Sequence, residues 1–444
     1  MKDLLKFLRI GLAKISENLA GLLIFVLSCG LILSIIWPDF SFSQTENRTL
    51  AKFPAMQAED LWDGDFGEEA ESYAQDQFPG RDLFFHLNYI FRKAAGQSKI
   101  NEVYLGHRQL FSAPDNLSSE ILDSNITAFN NMAASTGIQT SVLIAPDAAS
   151  IQKENLPYQA TFIDQVNEIN RISGSMTSAS LISINDQLLS NKDQPLYYKT
   201  DHHWTSDTAG MAAMTFFEQV HPDFGMNMDQ FDSFTISRSF IGTLASASGS
   251  CFLKDEIKIR PWSNQKENPY VVKWADGSKS TSIYQVDKLN QKDQYQVFLG
   301  ANQSIVTIDT MADNDRNLLL IKDSYANSMI QFLLPYYRSI TIVDPRYCMD
   351  ELSKLINRNG INEILAVYSC ETLMSDSSLS IMAAEFESEP VEEAPEVQNS
   401  EESVQVNESE SAFENGIDQE QENSDESTEN PTAKAADLTD AQSE

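Results

Sequence analysis

Continuous apolar runs, rather than alternating ones, dominate the hydrophobic pattern of this chain. Thr140–Ala145 (TSVLIA) is unbroken and stops at Pro146-Asp147. Residues 317–321 (NLLLI), Ser339–Val343 (SITIV) and 361–368 (INEILAVY) have the same character, and 181–184 is a further candidate. Short runs with no polar face belong to strands buried on both sides. Between them, 325–334 and 351–357 read as helices. Strand, helix, strand, helix, strand predicts an α/β domain, a parallel sheet with helices on both faces. In such sheets chemistry collects beyond the carboxyl ends of the strands, and Ser324 lies just past one of them. Upstream, 56–95 reads as helical with a break at Pro79-Gly80. Residues 103–106 and 109–111 suggest a hairpin, and 205–220 another helix. The stretch 223–292 is irregular with weak strand signals, and no internal repeat is visible.

The two ends change this picture. Residues 19–37 (LAGLLIFVLSCGLILSIIW) carry no charge and are long enough to cross a hydrocarbon core as a helix. Lys2, Lys6, Arg9 and Lys14 precede the run, whereas Asp39 and Glu46 follow it. That asymmetry puts the short N-terminus in the cytoplasm and the bulk of the chain outside, in contact with lipid only through this helix. A cleaved signal peptide ending near Ser41-Phe42-Ser43 is the alternative, although the apolar run is longer than the usual signal core. At the other end, residues 385–444 hold 20 acidic residues and one basic residue, more than half of the formal charge of −34. Almost no large apolar side chain interrupts them, so this tail is expected to be disordered, as a tether, a spacer or a plain solubilising extension. Nucleic acid is excluded as a partner, since no basic face is left to neutralise phosphates. The expected plan is therefore a cytoplasmic 1–18, an anchor at 19–37, a linker and helical segment at 38–100, the α/β domain at 101–384, and the tail at 385–444. Four cysteines, one of them inside the apolar run, cannot make a disulfide framework, though one pair could bridge.

Candidate chemistry centres on two of the five histidines, within Asp201-His202-His203-Trp204. On an extended segment Asp201 and His203 point to one side, where the carboxylate can hold one imidazole nitrogen while the other faces a substrate. Trp204 could wall such a site. The plainer reading is that Asp201 caps the helix at 205–220 and the histidines merely pack. Ser324, in the turn between a buried strand and a helix, has an exposed hydroxyl and nearby amide donors, a nucleophile position that is also an ordinary capping sequence. Gly300 and Asn302 could supply further oxyanion donors. No metal is expected: three consecutive residues do not readily converge on one ion, and no spaced His or Cys pair accompanies them.

Several blocks in the same order carry a resemblance. They are Glu46-Asn-Arg48, Asp76-Gln-Phe-Pro79 with Arg81-Asp82, Val103-Tyr-Leu-Gly106, Asp201-His-His-Trp204, Phe298-Leu-Gly300 with Asn302, Lys322-Asp-Ser-Tyr-Ala326, and Asp344-Pro-Arg-Tyr347. Together they resemble the DHHW family of bacterial envelope proteins, which is similar to the alginate O-acetylation proteins with their SGNH-hydrolase-like domain. The resemblance implies an SGNH-like α/β fold and an extracytoplasmic O-acyltransferase with Ser324 as nucleophile, His203 as base and Asp201 as the orienting carboxylate. It implies Asn302 and Gly300 near the oxyanion, and makes Tyr325 and Arg346 candidate substrate contacts. It also implies a cell-surface polysaccharide as acceptor, a membrane-bound O-acyltransferase as acetyl supplier, and no cofactor. Where the family often has Gly-Gly-Asn this chain has Gly300-Ala301-Asn302, which puts the turn before Asn302 in question. DHH phosphoesterases share the Asp-His-His string but need further Asp clusters that are absent here. Two other readings stay open: an esterase using the same triad, and a non-catalytic glycan-binding scaffold with Trp204, Tyr336, Tyr337 and Tyr347 as aromatic platforms.

Overall fold

The computed structural model describes residues 18–26, 28–30, 32–33, 38–55 and 65–387. The described residues within Met1–Glu389 form one compact unit, and the expected disordered tail lies, from residue 388 on, outside the described residues. Backbone at 18–26, 28–30 and 32–33 is helical. Among the described residues no helix is long and apolar enough to cross a membrane. The expected anchor at 19–37 falls partly on these described helical residues, and its residues 27, 31 and 34–37 lie outside them.

An eight-stranded sheet organises the main unit. Its strands are β1 (Thr140–Ala145), β2 (Ser180–Ile182), β3 (Tyr270–Lys273), β4 (Lys279–Ser280), β5 (Ile305–Thr310), β6 (Asn317–Lys322), β7 (Ser339–Val343) and β8 (Glu363–Ser369). They lie in the order β4-β3-β5-β7-β6-β8-β1-β2. From β7 to β2 all pairs are parallel, as the apolar runs predicted. The β5–β7, β3–β5 and β3–β4 pairs are antiparallel, so the sheet is mixed rather than wholly parallel. The added strands come from the stretch around 223–292 that looked irregular and from 305–310. Both β3 and β5 alternate buried and accessible positions, because one of their faces lacks a full cover.

Side chains on the parallel strands alternate between two cores. Leu318 and Leu320 of β6, with Leu365 and Val367 of β8, pack on one face against Ala209, Ala212 and Phe216 of helix α2 (Ser206–Val220). Leu319 and Ile321, with Ile364 and Ala366, pack on the other against Leu122, Ile126 and Phe129 of α1 (Ser119–Thr136). Helices therefore cover both faces, as expected for an α/β domain. Ser118 and Gly137 bound α1 as a side-chain N-cap and a left-handed C-cap. Ahead of the sheet, Asp65–Asp76 and Arg81–Ala94 are helices parted at Pro79-Gly80, and Val103–Leu105 pairs with Leu110–Ser112 as the expected hairpin. All four cysteines are free.

Candidate active site

Ser324 stands two residues beyond the carboxyl end of β6, and Asp323 shapes the turn that presents it. The fully buried Asp323 carboxylate accepts the Tyr325 amide at 2.9 Å, the Ser369 amide at 2.9 Å and the Ser369 hydroxyl at 2.6 Å. These bonds tie the ends of β6 and β8 together and turn the chain into a 3-10 segment, Ser324–Ser328, instead of the single helix expected over 325–334. Ile330–Leu333 then forms a short α-helix. Ser324 is half-buried, whereas the residues on both sides of it are buried.

The Asp-His-His segment reaches this turn from a loop closed by the Tyr197–Trp204 bridge and by the Tyr198 amide on the His203 carbonyl at 3.1 Å. Asp255 holds the loop from behind, accepting both the Lys199 and Thr200 amides. Asp201 Oδ1 accepts the His203 amide at 3.1 Å, so the segment is a tight Asx-type turn and not the extended strand that the spacing suggested. Nor does Asp201 cap α2; the Thr205 side chain does, accepting the Thr208 amide. Trp204 is fully buried, and its indole N–H donates to the Tyr325 carbonyl at 2.9 Å. It braces the serine turn rather than walling an open site. In the opposite direction the Tyr325 hydroxyl donates to the His202 carbonyl at 2.5 Å. Loop and turn are cross-tied.

This docking aligns three side chains. Asp201 Oδ1 lies 2.5 Å from His203 Nδ1, and His203 Nε2 lies 2.8 Å from Ser324 Oγ. A carboxylate can only accept, so His203 carries its proton on Nδ1, and Nε2 is left to accept from the serine hydroxyl. The second carboxylate oxygen of Asp201 accepts the Thr243 amide at 2.8 Å and the Thr243 hydroxyl at 3.0 Å. Gly242 makes the approach possible, because any Cβ there would run into the Asp201 side chain. Burial opposes ionisation of Asp201, but His203, His202 and the bonds from His203 and Thr243 outweigh it and hold the carboxyl below its usual range. Burial also pushes His203 below the ordinary histidine value, aided by His202 and opposed by Asp201.

His203 is held on both faces. Tyr295 stacks on it with centroids 3.8 Å apart and planes 13° apart, and His202 lies over it at 3.9 Å and 35°. Two rings at those separations cannot share one face, so the imidazole is sandwiched. The Tyr295 hydroxyl also donates to the Ser324 carbonyl at 3.1 Å, joining His203 and Ser324 through one side chain. Sequence reasoning missed Gly242, Thr243 and Tyr295. The first two sit in the stretch that looked irregular, and no local pattern marks any of them.

The other candidate contacts divide. Asn302 is half-buried, and its side-chain oxygen accepts the Lys322 ammonium at 3.2 Å, which turns its N–H donors the other way. Lys322 is itself buried beside Asp344 at 3.4 Å; burial lowers its pKa against the pull of that carboxylate. Arg346 grips Asp344 through two bonds of 2.9 and 2.8 Å. Gly300 is buried, at φ 78°, with its amide bonded to the Gln296 carbonyl. Tyr325 is buried and its amide is committed to Asp323, so neither backbone N–H is a free donor. Of the four aromatic platforms considered, Trp204 and Tyr337 are fully buried, Tyr336 is half-buried and Tyr347 is 53% exposed. Donor atoms of Asp201, His202 and His203 come within 4.8 Å of one another, closer than three consecutive residues were expected to bring them. Those of Asp201 and His203 are already engaged with each other, with Thr243 and with Ser324, so these residues fit a proton-transfer chain better than a metal cage.

No curated protein matches this chain. Among solved structures, a DHHW family protein from Eubacterium siraeum superposes with a TM-score of 0.52 at 20% identity, covering 63% of this chain and 97% of that one. Bacillus cereus PatB1 with a sulfonyl adduct superposes with a TM-score of 0.54 at 17% identity, covering 62% and 97%. The O-acetyltransferase domain of Pseudomonas putida AlgJ overlaps at 0.42 and 15% identity, covering 64% and 98%. The first two share the fold. Residues 103–343, more than half of the chain, match the family described as DHHW protein, and the chain belongs to it.

Proposed function

We propose that this protein is an extracytoplasmic O-acyltransferase with Ser324 as nucleophile, His203 as general base and Asp201 as the carboxylate that orients it. The observation that carries the reading is the unbroken Asp201–His203–Ser324 hydrogen-bond chain of 2.5 and 2.8 Å. Ser324 Oγ attacks an acyl carbonyl while its proton passes to His203 Nε2. The resulting imidazolium faces Asp201, and the protonated His203 then returns the proton to the leaving oxygen. The Ser324 amide, first in its 3-10 turn and without an acceptor inside it, is the nearest backbone donor for the oxyanion. Asn302, oriented by Lys322, supplies a second. The acyl group then passes to a hydroxyl of an envelope polysaccharide. A membrane-bound O-acyltransferase is the proposed supplier of acetyl groups, and residues 19–37 the proposed tether to lipid. A sulfonyl adduct of the structurally similar PatB1 makes the same class of reagent a natural probe. An aryl sulfonyl fluoride should label Ser324, and a chromogenic acetyl ester should give a burst that Ser324→Ala abolishes. Equal ester turnover by wild type and Ser324→Ala would refute the assignment.

A further inference from the structure

The triad uses one histidine of the Asp-His-His run and leaves the other unexplained. His202 is not a core residue: a third of its side chain is exposed. Its Nδ1 lies 2.8 Å from Thr243 Oγ1. The single proton of that hydroxyl is already directed to Asp201 Oδ2, which can only accept. The threonine oxygen therefore accepts from His202, and the His202 proton sits on Nδ1. Whenever this ring is neutral, Nε2 carries a lone pair.

Direction follows from the stack. Both imidazoles present Nδ1 toward Asp201, at 2.5 Å for His203 and 3.9 Å for His202. Their planes are 35° apart and their centroids 3.9 Å apart, so both Nε2 edges point away from Asp201. That is the side on which His203 meets Ser324. The site thus offers two imidazole lone pairs side by side, roughly one ring-stacking distance apart, beside the nucleophile. One proton acceptor suffices for a lone hydroxyl. Two adjacent acceptors match two hydroxyl donors on neighbouring carbons.

We propose that His202 binds the acyl acceptor and that the acceptor is a vicinal diol, as in a glycan ring; this rests on Ser324 being the acylated nucleophile. The attacking hydroxyl gives its proton to His203 Nε2 as its oxygen bonds to the acyl carbon. The adjacent hydroxyl donates to His202 Nε2 and keeps its proton. The bond from the acyl carbon to Ser324 Oγ then breaks, and Oγ takes the proton from His203. Water reaches the acyl-enzyme untethered from several directions, whereas a hydroxyl fixed on a bulky ring needs its neighbour held. Loss of the His202 lone pair therefore falls on transfer more than on hydrolysis.

The full chain is incubated with p-nitrophenyl acetate and equal concentrations of 1,2-propanediol or 1-propanol, and the ratio of acetylated alcohol to acetate is measured. One neutral hydrogen bond corresponds to about a fivefold effect, so the wild-type ratio should be about fivefold higher with the diol. His202→Phe, which keeps a ring over His203 but has no lone pair, should erase that preference. His202→Gln, with an amide oxygen near the former Nε2, should restore part of it. A purely packing role would lower transfer and hydrolysis together and leave the diol preference intact. Equal wild-type ratios for the two alcohols, or a preference that survives in His202→Phe, would overturn the proposal. A wild-type chain with no Ser324-dependent burst would overturn the parent reading instead.

Discussion

Replacing Asp201 by Asn changes almost no volume, so its effect isolates charge and hydrogen-bond direction. Each oxygen of Asp201 faces a backbone donor that cannot rotate away: the His203 amide at 3.1 Å and the Thr243 amide at 2.8 Å. The new NH2 must oppose one of them. If it faces Thr243, the amide oxygen keeps His203 in the correct tautomer, but the imidazolium loses a charge-assisted partner worth about 1.5–3 kcal/mol. If it faces His203, it donates to Nδ1, the ring proton moves to Nε2, and the base is lost, a change that costs about 10⁴-fold in triad enzymes. The two cases bracket a fall in kcat of about 10 to 10⁴, or roughly 1.5 to 5.5 kcal/mol at about 1.4 kcal/mol per decade. One buried N–H left unpaired also lowers stability by about 1–3 kcal/mol. Turnover of a chromogenic acetyl ester, read beside a thermal melt, separates these losses. An Asp201→Asn protein that melts cooperatively and retains turnover within threefold of wild type would refute the orienting role.

Three further outcomes are expected. His203 must be neutral to act, and burial with its neighbour His202 lowers its pKa, so the acid limb of a kcat/KM profile should fall below about pH 6.5, the ordinary value; a limb above that value would contradict it. Gly242→Ala places a methyl against Asp201, and a displacement of about 1 Å there should cost about 10²-fold in ester turnover while the protein stays folded. Asp344→Leu leaves the Lys322 ammonium buried without its carboxylate and should destabilise the fold by about 3–5 kcal/mol, read from the shift of a urea or thermal transition.

How much of this was legible beforehand depended on which forces are local. β1, β6, β7 and β8 declared themselves as unbroken apolar runs because both of their faces are covered, and Ser339–Val343 came out to the residue. By contrast, β3 and β5 alternate between buried and accessible positions, so the same criterion passed over them. The pairing of Asp201 with His203 could be read from their spacing, but not its form, since an Asx turn replaces the extended segment. Tyr295, Gly242 and Thr243 serve the site through contacts across 29 to 92 positions of chain, where no periodic signal exists. The break at Pro79-Gly80 followed from single-residue conformational preferences and needed no tertiary knowledge.

The indole of Trp204 has a consequence in time. It fixes the histidine loop by bonding to a carbonyl 121 residues downstream, at Tyr325, and to the hydroxyl of Ser328. During synthesis the loop emerges long before either acceptor exists, and β6, which positions them, is inserted between β7 and β8, two strands made later still. A chain truncated between residue 328 and β8 therefore contains Ser324 and both acceptors but lacks a strand that flanks β6 and holds them in place.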